Sequence, residues 1–201
     1  MIEQIISLIA PHSCISCHTE GPLLCPTCQL LLPVTESTPW VYGGQISAAT
    51  PYTGFAKEMV HRLKFERAKD AARTMAAIMA KRMSIAPDAV VTHVPTATSR
   101  ARVRGYDQAS LLARQLAYTT GLRYIPLLER IGQQRQVGHT KQERQMLAEG
   151  IFRVINADAA KDRPILLVDD VLTTGSTLRS AAETLAQSGV SGISAAVFAK
   201  A

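Results

Sequence analysis

The sequence PILLVDDVLTTGST occupies residues 164–177 and joins an apolar run to two aspartates and a turn rich in hydroxyl groups. The run at 165–168 predicts a short strand that is buried on both faces of a parallel sheet. Two carboxylates, Asp169 and Asp170, come directly after it, at the carboxyl end of the predicted strand. The turn leads into a segment of helical character, so the order is strand, acidic pair, turn and helix.

This order predicts a binding site for a sugar phosphate. Backbone N–H groups at the start of a helix hold a phosphate, and the helix dipole favours its negative charge. Gly175 allows the backbone to approach a ligand closely, while the two carboxylates suit a ribose diol or a hydrated Mg²⁺. The alternative is an ordinary N-capped helix, which needs one hydroxyl residue and no aspartate pair. The sequence contains neither GxxxxGK[ST] nor GxGxxG, the other phosphate-loop patterns.

The rest of the chain alternates predicted strands with predicted helices. We expect strands at 45–52, 89–94, 122–127, 151–155 and 193–198, and helices at 2–10, 53–65, 68–83, 105–120 and 178–188. Such alternation predicts an α/β fold in which helices flank a mainly parallel sheet. Composition and charge both shift near residue 40, so we expect a small N-terminal domain at 1–40 and a larger domain at 41–201.

The 201 residues carry a formal charge of +6, and this charge is unevenly distributed. Residues 1–40 contain three glutamates and no lysine or arginine, so the remainder carries +9. A basic body predicts an anionic ligand, such as a phosphate, a pyrophosphate or a nucleic acid; an ordinary basic surface is the alternative. Residues 2–10 are apolar but lack a basic start, and the chain has no apolar run of about 18 residues. We therefore expect a cytoplasmic protein without a membrane span.

All four cysteines lie within fifteen residues, as two CxxC pairs: Cys14, Cys17, Cys25 and Cys28. Two such pairs predict a closed tetrahedral thiolate site that holds a structural Zn²⁺ and helps a short segment to fold. An iron–sulfur cluster stays open as an alternative, and disulfides do not suit a cytoplasmic chain. Because four thiolates complete the site, we interpret the nearby His12 and His18 as bystanders.

A second polar segment follows another predicted strand, at 94–108, and reads VPTATSRARVRGYDQ. We expect residues 96–104 to form a loop at the carboxyl edge of the sheet, where α/β folds bind ligands. Arg100, Arg102 and Arg104 are candidates to hold a pyrophosphate, although each one taken alone is more typical of a solvated surface charge. Residues 130–149 form a long polar segment without clear periodicity, and loops of that length are usually functional.

The stretch at 164–177 closely resembles the signature loop of type I phosphoribosyltransferases, which binds phosphoribosyl pyrophosphate (PRPP). Together with the two CxxC pairs, R-x-RGY-x-Q after VP and the LKF element at 63–65, it resembles the ComF family of competence-associated, phosphoribosyltransferase-like proteins. The resemblance covers nearly the whole chain. It implies that the acidic pair meets the ribose hydroxyls, and that the 5′-phosphate binds to Thr173, Thr174, Gly175, Ser176 and Thr177.

The resemblance also implies a flexible loop, at 136–152, that closes over PRPP in the superfamily. Arg135, Lys141 and Arg144 are the candidates there to touch ligand, with solvated charges as the alternative. Arg144 and the GIF sequence at 150–152 match the ComF pattern. Leu147 stands where the pattern has Asn, and His139 falls near its Leu, so an active role for this loop is not implied as strongly.

Two functions follow from the resemblance. One is a protein that binds PRPP with Mg²⁺ and serves DNA uptake in natural transformation, binding single-stranded DNA and meeting other DNA-uptake proteins. The other is an active phosphoribosyltransferase that transfers the sugar to a nucleobase and releases pyrophosphate, held by Lys64 or the loop arginines. A regulator that senses PRPP without catalysis is a third reading. The chain ends directly after its last predicted strand, so we expect no C-terminal hood to read a base. The aromatic residues expected to stack on bases are Tyr106, Tyr118, Tyr124 and Phe152.

Overall fold

The computed structural model describes residues 13–66, 68–131, 151–190 and 192–201. Its strands are β1 (Thr38–Pro39), β2 (Gly43–Pro51), β3 (Val90–His93), β4 (Arg123–Tyr124), β5 (Leu128–Arg130), β6 (Phe152–Val154), β7 (Ile165–Leu172) and β8 (Ile193–Lys200). The main sheet has the order β1-β2-β8-β7-β3-β4, and β5 and β6 form a separate antiparallel pair. All neighbours in the main sheet are parallel except β1, which runs antiparallel to β2. The expected α/β architecture with a mainly parallel sheet is confirmed.

The helices are α1 (Pro26–Gln29), α2 (Gly54–Phe65), α3 (Ala68–Arg82), α4 (Thr98–Arg104), α5 (Gln108–Thr120) and α6 (Ser176–Gln187), with a 3-10 turn at Ala157–Ala160. They cover both faces of the sheet. Because successive side chains of a strand point to opposite faces of the sheet, β7 contributes residues to two hydrophobic cores, one on each face. Leu166 and Val168 pack with α2, α3 and α5, whereas Ile165 and Leu167 pack with α6 and the β5–β6 pair. Burial on both faces explains the unbroken apolar run in this strand.

Two predicted features at the sheet edge are wrong in detail. Residues 96–104 were expected to be a loop, but α4 occupies most of that range and ends at Gly105, whose φ of 77° is a left-handed helix cap. β7 continues to Leu172, so Asp169 and Asp170 lie within the strand and not after it. The register with β8 continues along the same length and pairs Leu172 with Lys200, which explains the extension.

The remaining predicted elements agree with the structure to within a few residues, with four exceptions. The strand expected at 122–127 forms only as β4, and the short elements β1, β5 and α1 were not expected. The helix expected at 2–10 lies outside the described residues, and so does almost all of the long polar segment at 130–149. No helix within the described ranges is long and apolar enough to cross a membrane.

The cysteine-rich segment, residues 13–33, packs against helices α2 and α3 of the larger domain. Cys14, Leu23, Leu24, Cys28 and Leu32 are buried in the same core as the apolar faces of those helices.

Arg82, at the end of α3, connects the same segment to the sheet through four hydrogen bonds. Its guanidinium donates to the carbonyl oxygens of Gln29, Leu32 and Pro33 at 2.8–3.0 Å and to that of Ala49 in β2 at 3.0 Å. A single side chain therefore joins the cysteine-rich segment, the helix layer and the sheet.

Candidate functional site

A cavity of about 410 Å³ opens at the carboxyl edge of the main sheet. The ends of β2, β3 and β7 meet there, as expected for the ligand site of an α/β sheet. Its lining residues are Tyr52, Lys64, Val94, Pro95, Thr96, Ala97, Arg104, Gln108, Arg130, Asp169, Asp170, Val171, Thr173 and Thr177. The cavity thus unites the acidic pair, part of the hydroxyl-rich turn and several cations that are distant in sequence.

The acidic pair is held by its neighbours on both sides. Asp170 is buried, and its Oδ2 lies 2.6 Å from Nζ of Lys64 on α2. Asp170 shares its face of β7 with Leu166 and Val168, which pack on the α2 side, so the strand alternation explains why Lys64 meets this carboxylate. Asp169 Oδ1 accepts a hydrogen bond from the backbone N–H of Asp170 at 2.8 Å. Burial, together with the neighbouring Asp170 carboxylate, raises the pKa of Asp169 well above its usual range.

The hydroxyl-rich turn forms the start of α6 and has the shape of a phosphate cradle. Gly175 has a φ of 74°, and an added Cβ there would lie 3.2 Å from Leu172 Cδ1, so both the conformation and the space favour glycine. Oγ of Thr174 and Oγ of Ser176 lie 3.1 Å apart. A smaller cavity of about 50 Å³ adjoins this turn and is lined by all five residues of the TTGST sequence. These exposed hydroxyl and N–H groups at a helix N-terminus suit the phosphate of a sugar phosphate.

The predicted pyrophosphate-side residues are only partly brought together. Lys64 and Arg104 line the cavity, whereas Arg102 is exposed and is not among the lining residues. The side chain of Arg100 is not described, and Arg135, Lys141 and Arg144 lie outside the described residues. The structure adds the cation Arg130 of β5, which the sequence analysis did not single out because it is the first residue of the long polar segment.

One wall of the cavity is fixed by Asp107, the N-cap of α5. Its carboxylate accepts from the N–H of Ser110 at 3.0 Å, from the N–H of Thr96 at 2.8 Å and from the Thr96 hydroxyl at 3.2 Å. His93, at the end of β3, lies behind this wall, and its Nδ1 is 2.9 Å from the hydroxyl of Tyr124. Burial lowers the pKa of His93, which favours the neutral imidazole in this network. The RGYDQ motif therefore contains a helix cap, a role of Asp107 that the sequence analysis did not predict.

The aromatic residues named as base-stacking candidates have different environments. Phe152 is buried in the core, so its expected role is wrong, and Tyr124 belongs to the network with His93. Tyr106 donates its hydroxyl to the carbonyl oxygen of Leu63 at 2.6 Å. Tyr118 is exposed near the C-terminal end of α5. Phe65, which was not predicted to stack on a base, is also exposed, and the Arg104 guanidinium lies 5.1 Å from its ring centre.

The four cysteines converge as a candidate metal centre. Their Sγ atoms all lie within 4.8 Å of one another, and none of the four is in a disulfide. Tetrahedral Zn²⁺ with Zn–S bonds of about 2.3 Å needs sulfur atoms roughly 3.8 Å apart. The Sγ atoms of Cys17 and Cys25 are 3.7 Å apart, and Cys14 Sγ accepts from the N–H of Cys25 at 3.4 Å. The donor set therefore fits a tetrahedral metal ion such as zinc.

The part of the chain that carries this site is similar to a known protein family. The phosphoribosyl transferase domain family matches residues 66–201, which contain the acidic pair and the hydroxyl-rich turn. The chain belongs to this family. Among solved structures, the glutamine PRPP amidotransferase of B. subtilis, complexed with ADP and GMP, aligns with a TM-score of 0.51 at 15% identity, over 68% of this chain and 30% of that one. That likeness supports the predicted type I phosphoribosyltransferase-like fold and nothing beyond the fold.

Curated relatives confirm the narrower ComF assignment. The chain is 33% identical over 141 residues to Competence protein ComFC of Bacillus subtilis, an alignment that covers 69% of this chain and 56% of ComFC. It is 27% identical over 187 residues to the DNA utilization protein YhgH of Salmonella typhi, covering 83% of this chain and 79% of that protein. The chain thus spans little more than half the length of ComFC.

Proposed function

We propose that this ComF-family chain binds PRPP together with Mg²⁺ and acts in DNA uptake during natural transformation. The observation that supports this ligand is the proximity of two subsites, because the cavity that contains the acidic pair adjoins the smaller cavity at the hydroxyl-rich turn. Asp169 and Asp170 offer acceptors for the ribose hydroxyls beside the phosphate cradle at the start of α6, and Lys64 and Arg104 offer positive charge in the same cavity. Carboxylate oxygens are also ligands that Mg²⁺ accepts, alongside water and phosphate oxygens.

Isothermal titration calorimetry with PRPP, with and without Mg²⁺, tests this ligand. The variant Asp169→Asn/Asp170→Asn should bind PRPP at least about tenfold more weakly, because it removes charged acceptors for the ribose and the metal. The matched control is Asp158→Asn/Asp162→Asn, which changes two exposed aspartates near the 3-10 turn, away from the cavity. Equal affinity in the cavity variant and in the wild type would reject the proposal.

Single-stranded DNA is the proposed macromolecular partner. Support comes from the +9 charge outside residues 1–40 and from the printed names of the relatives, which refer to competence and DNA utilization. Phosphate contacts release counterions, so affinity should fall with salt, with a slope of about −0.7 per contact on a single strand.

Fluorescence anisotropy with a labelled oligonucleotide across a salt series measures that slope. Arg102→Gln, at an exposed position of α4, should lower the affinity and reduce the slope by about one contact. Arg163→Gln, at the opposite edge of the sheet before β7, serves as the charge-matched control and should behave as the wild type. Affinity that does not depend on salt would contradict DNA binding of this kind.

An active phosphoribosyltransferase is the second candidate, and the placement of the cysteine-rich segment bears on it. A transferase needs residues that read the acceptor base beside the reacting sugar. Within the described part of the chain, the cavity lining contains no residue from 13–40. This segment packs on the α2–α3 side instead, which favours binding over transfer. Pyrophosphate release from PRPP that depends on one added base, and is lost in Asp169→Asn/Asp170→Asn, would reverse that preference.

A further inference from the structure

Buried polar atoms without a hydrogen-bond partner are concentrated at the cavity. Among the described residues, the buried side-chain atoms that form no hydrogen bond belong to Thr35, Thr50, Arg104, Gln108 and Asp170, and the last three of these residues line the cavity. Asp170 Oδ2 is compensated by the Lys64 ammonium 2.6 Å away. Buried polar groups are nearly always hydrogen-bonded, so Gln108 Oε1 and Arg104 Nη1 need an explanation.

Of these two unsatisfied atoms, Gln108 Oε1 is the stronger evidence for a missing ligand contact. Only 6% of this residue is exposed, and its carboxamide is an uncharged group that burial penalises when it lacks a partner. It is the first residue of α5, directly after Asp107. Because Asp107 binds Thr96 and caps α5, the backbone that carries Gln108 is held firmly against the cavity wall. Such support is what preorganises a side chain for a ligand.

The unsatisfied atom defines the chemistry of the missing partner. An amide oxygen accepts a hydrogen bond, so its partner must be a donor. Ionised phosphate and pyrophosphate oxygens carry no proton, whereas a sugar hydroxyl does. We propose that Gln108 is a ligand-binding residue whose Oε1 accepts a hydrogen bond from a hydroxyl group of the bound sugar phosphate. This inference rests on the proposed function, because the same cavity holds the ligand.

A ligand-binding role and a structural role predict opposite effects for Gln108→Met. Methionine has a similar length and carries no amide, so it removes a buried unsatisfied polar group and should leave the melting temperature unchanged or raised. Affinity for PRPP and for ribose 5-phosphate should fall by about 5- to 30-fold, since a ligand hydroxyl loses its acceptor. Affinity for inorganic pyrophosphate should not change. Gln115→Met, on the same helix and outside the cavity lining, is the matched control.

The experiment is calorimetric titration of each protein with PRPP, ribose 5-phosphate and pyrophosphate in the presence of Mg²⁺, with a thermal unfolding curve for each variant. Gln108→Asn provides a second test if the methionine variant does not fold, because it retains the amide but withdraws the oxygen by one methylene. It should also lose affinity for the two sugar phosphates. Wild-type affinity for both sugar phosphates in a folded Gln108 variant overturns the inference, and so does an equal loss for pyrophosphate.

Failure of this inference differs from failure of the proposed function. If the wild type binds PRPP in a manner that needs Asp169 and Asp170, but the Gln108 variants bind equally well, only the role of Gln108 is rejected. If the wild type binds none of the three compounds, the sugar-phosphate site itself is rejected, and the assignment of Gln108 is rejected with it.

Discussion

At the scale of single residues, we expect the Lys64–Asp170 ion pair to affect both the stability of the fold and the binding of ligand. The two side chains are 22% and 8% exposed, so neither charge is well hydrated. Removing one partner of such a pair leaves the other charge buried without compensation. The same ammonium also lies in the proposed ligand cavity, where it can turn from the carboxylate towards an anionic ligand.

We expect Lys64→Met to lower the free energy of unfolding at pH 7 by about 1–3 kcal/mol. Lys64→Met/Asp170→Asn should recover most of this loss, because the second change removes the unpaired charge. Urea denaturation of the four proteins of this cycle measures both effects. Lys81→Met, at an exposed position of α3, is the control and should change stability little. A double variant as unstable as Lys64→Met would contradict the pairing.

Asp169 is a residue that costs stability in the absence of ligand. Its pKa is raised in the folded protein, so folding favours the protonated carboxyl. The contribution of this group to the free energy of unfolding is therefore fully present below the unfolded pKa of about 3.9, and it is lost as the pH rises through the folded pKa. Asp169→Asn should therefore stabilise the ligand-free protein at pH 7 by about 1 kcal/mol, while it weakens PRPP binding.

Thermal unfolding of the wild type and Asp169→Asn between pH 4 and pH 8 checks this prediction. The advantage of the variant should be smallest near pH 4 and should grow with pH. The side-chain oxygen of the Asn variant can still accept the hydrogen bond from the Asp170 N–H, so the variant and the wild type differ in charge but not in this hydrogen bond. An asparagine variant that is less stable than the wild type at pH 7 would show that the ionised carboxylate is stabilising instead.

At the scale of elements, the N-terminus of α5 joins a helix to the cavity wall through Asp107. Its carboxylate provides both the helix cap and the two acceptors for Thr96. Asp107→Ala should cost about 2 kcal/mol in urea denaturation, the upper range for an N-cap, since Thr96 also loses its partners. PRPP affinity should fall as well, because Thr96 and Gln108 line the cavity. Asp158→Ala, at an exposed position, should change neither quantity; an Asp107→Ala protein with wild-type affinity would exclude the positioning role.

At the scale of the whole molecule, the metal centre and the body should be coupled through Arg82. We expect purified protein to contain one zinc ion per chain, measurable by metal analysis, and metal removal to expose residues 13–33 to proteolysis because a segment this small lacks a core of its own. Arg82→Met should lower the free energy of unfolding by about 3 kcal/mol, since four carbonyl oxygens lose a charged donor.

The coupling itself is tested by combining the two changes. In metal-free protein, Arg82→Met should cost clearly less than in metal-loaded protein, because three of its four acceptors lie in the segment that the metal helps to fold. Arg73→Met, at an exposed position of α3, controls for the loss of a charge from that helix. The same cost with and without metal would mean that the segment stays folded on the body without the ion.

Local sequence was sufficient to predict the hydroxyl-rich turn before a helix, the convergence of the four thiolates and the alternation of strands and helices. Each of these depends on residues that are close in the chain: a run buried on both faces, a glycine with positive φ, and paired CxxC spacing. Contacts between distant segments were not predictable in this way. The pairing of Lys64 with Asp170, the Asp107–Thr96 contact, the unsatisfied Gln108 and the Arg82 hydrogen bonds depend on how the helix layer lies on the sheet. These four features are consequences of tertiary packing, because only the folded chain determines whether a buried polar group lies next to a hydrogen-bond partner from a distant segment.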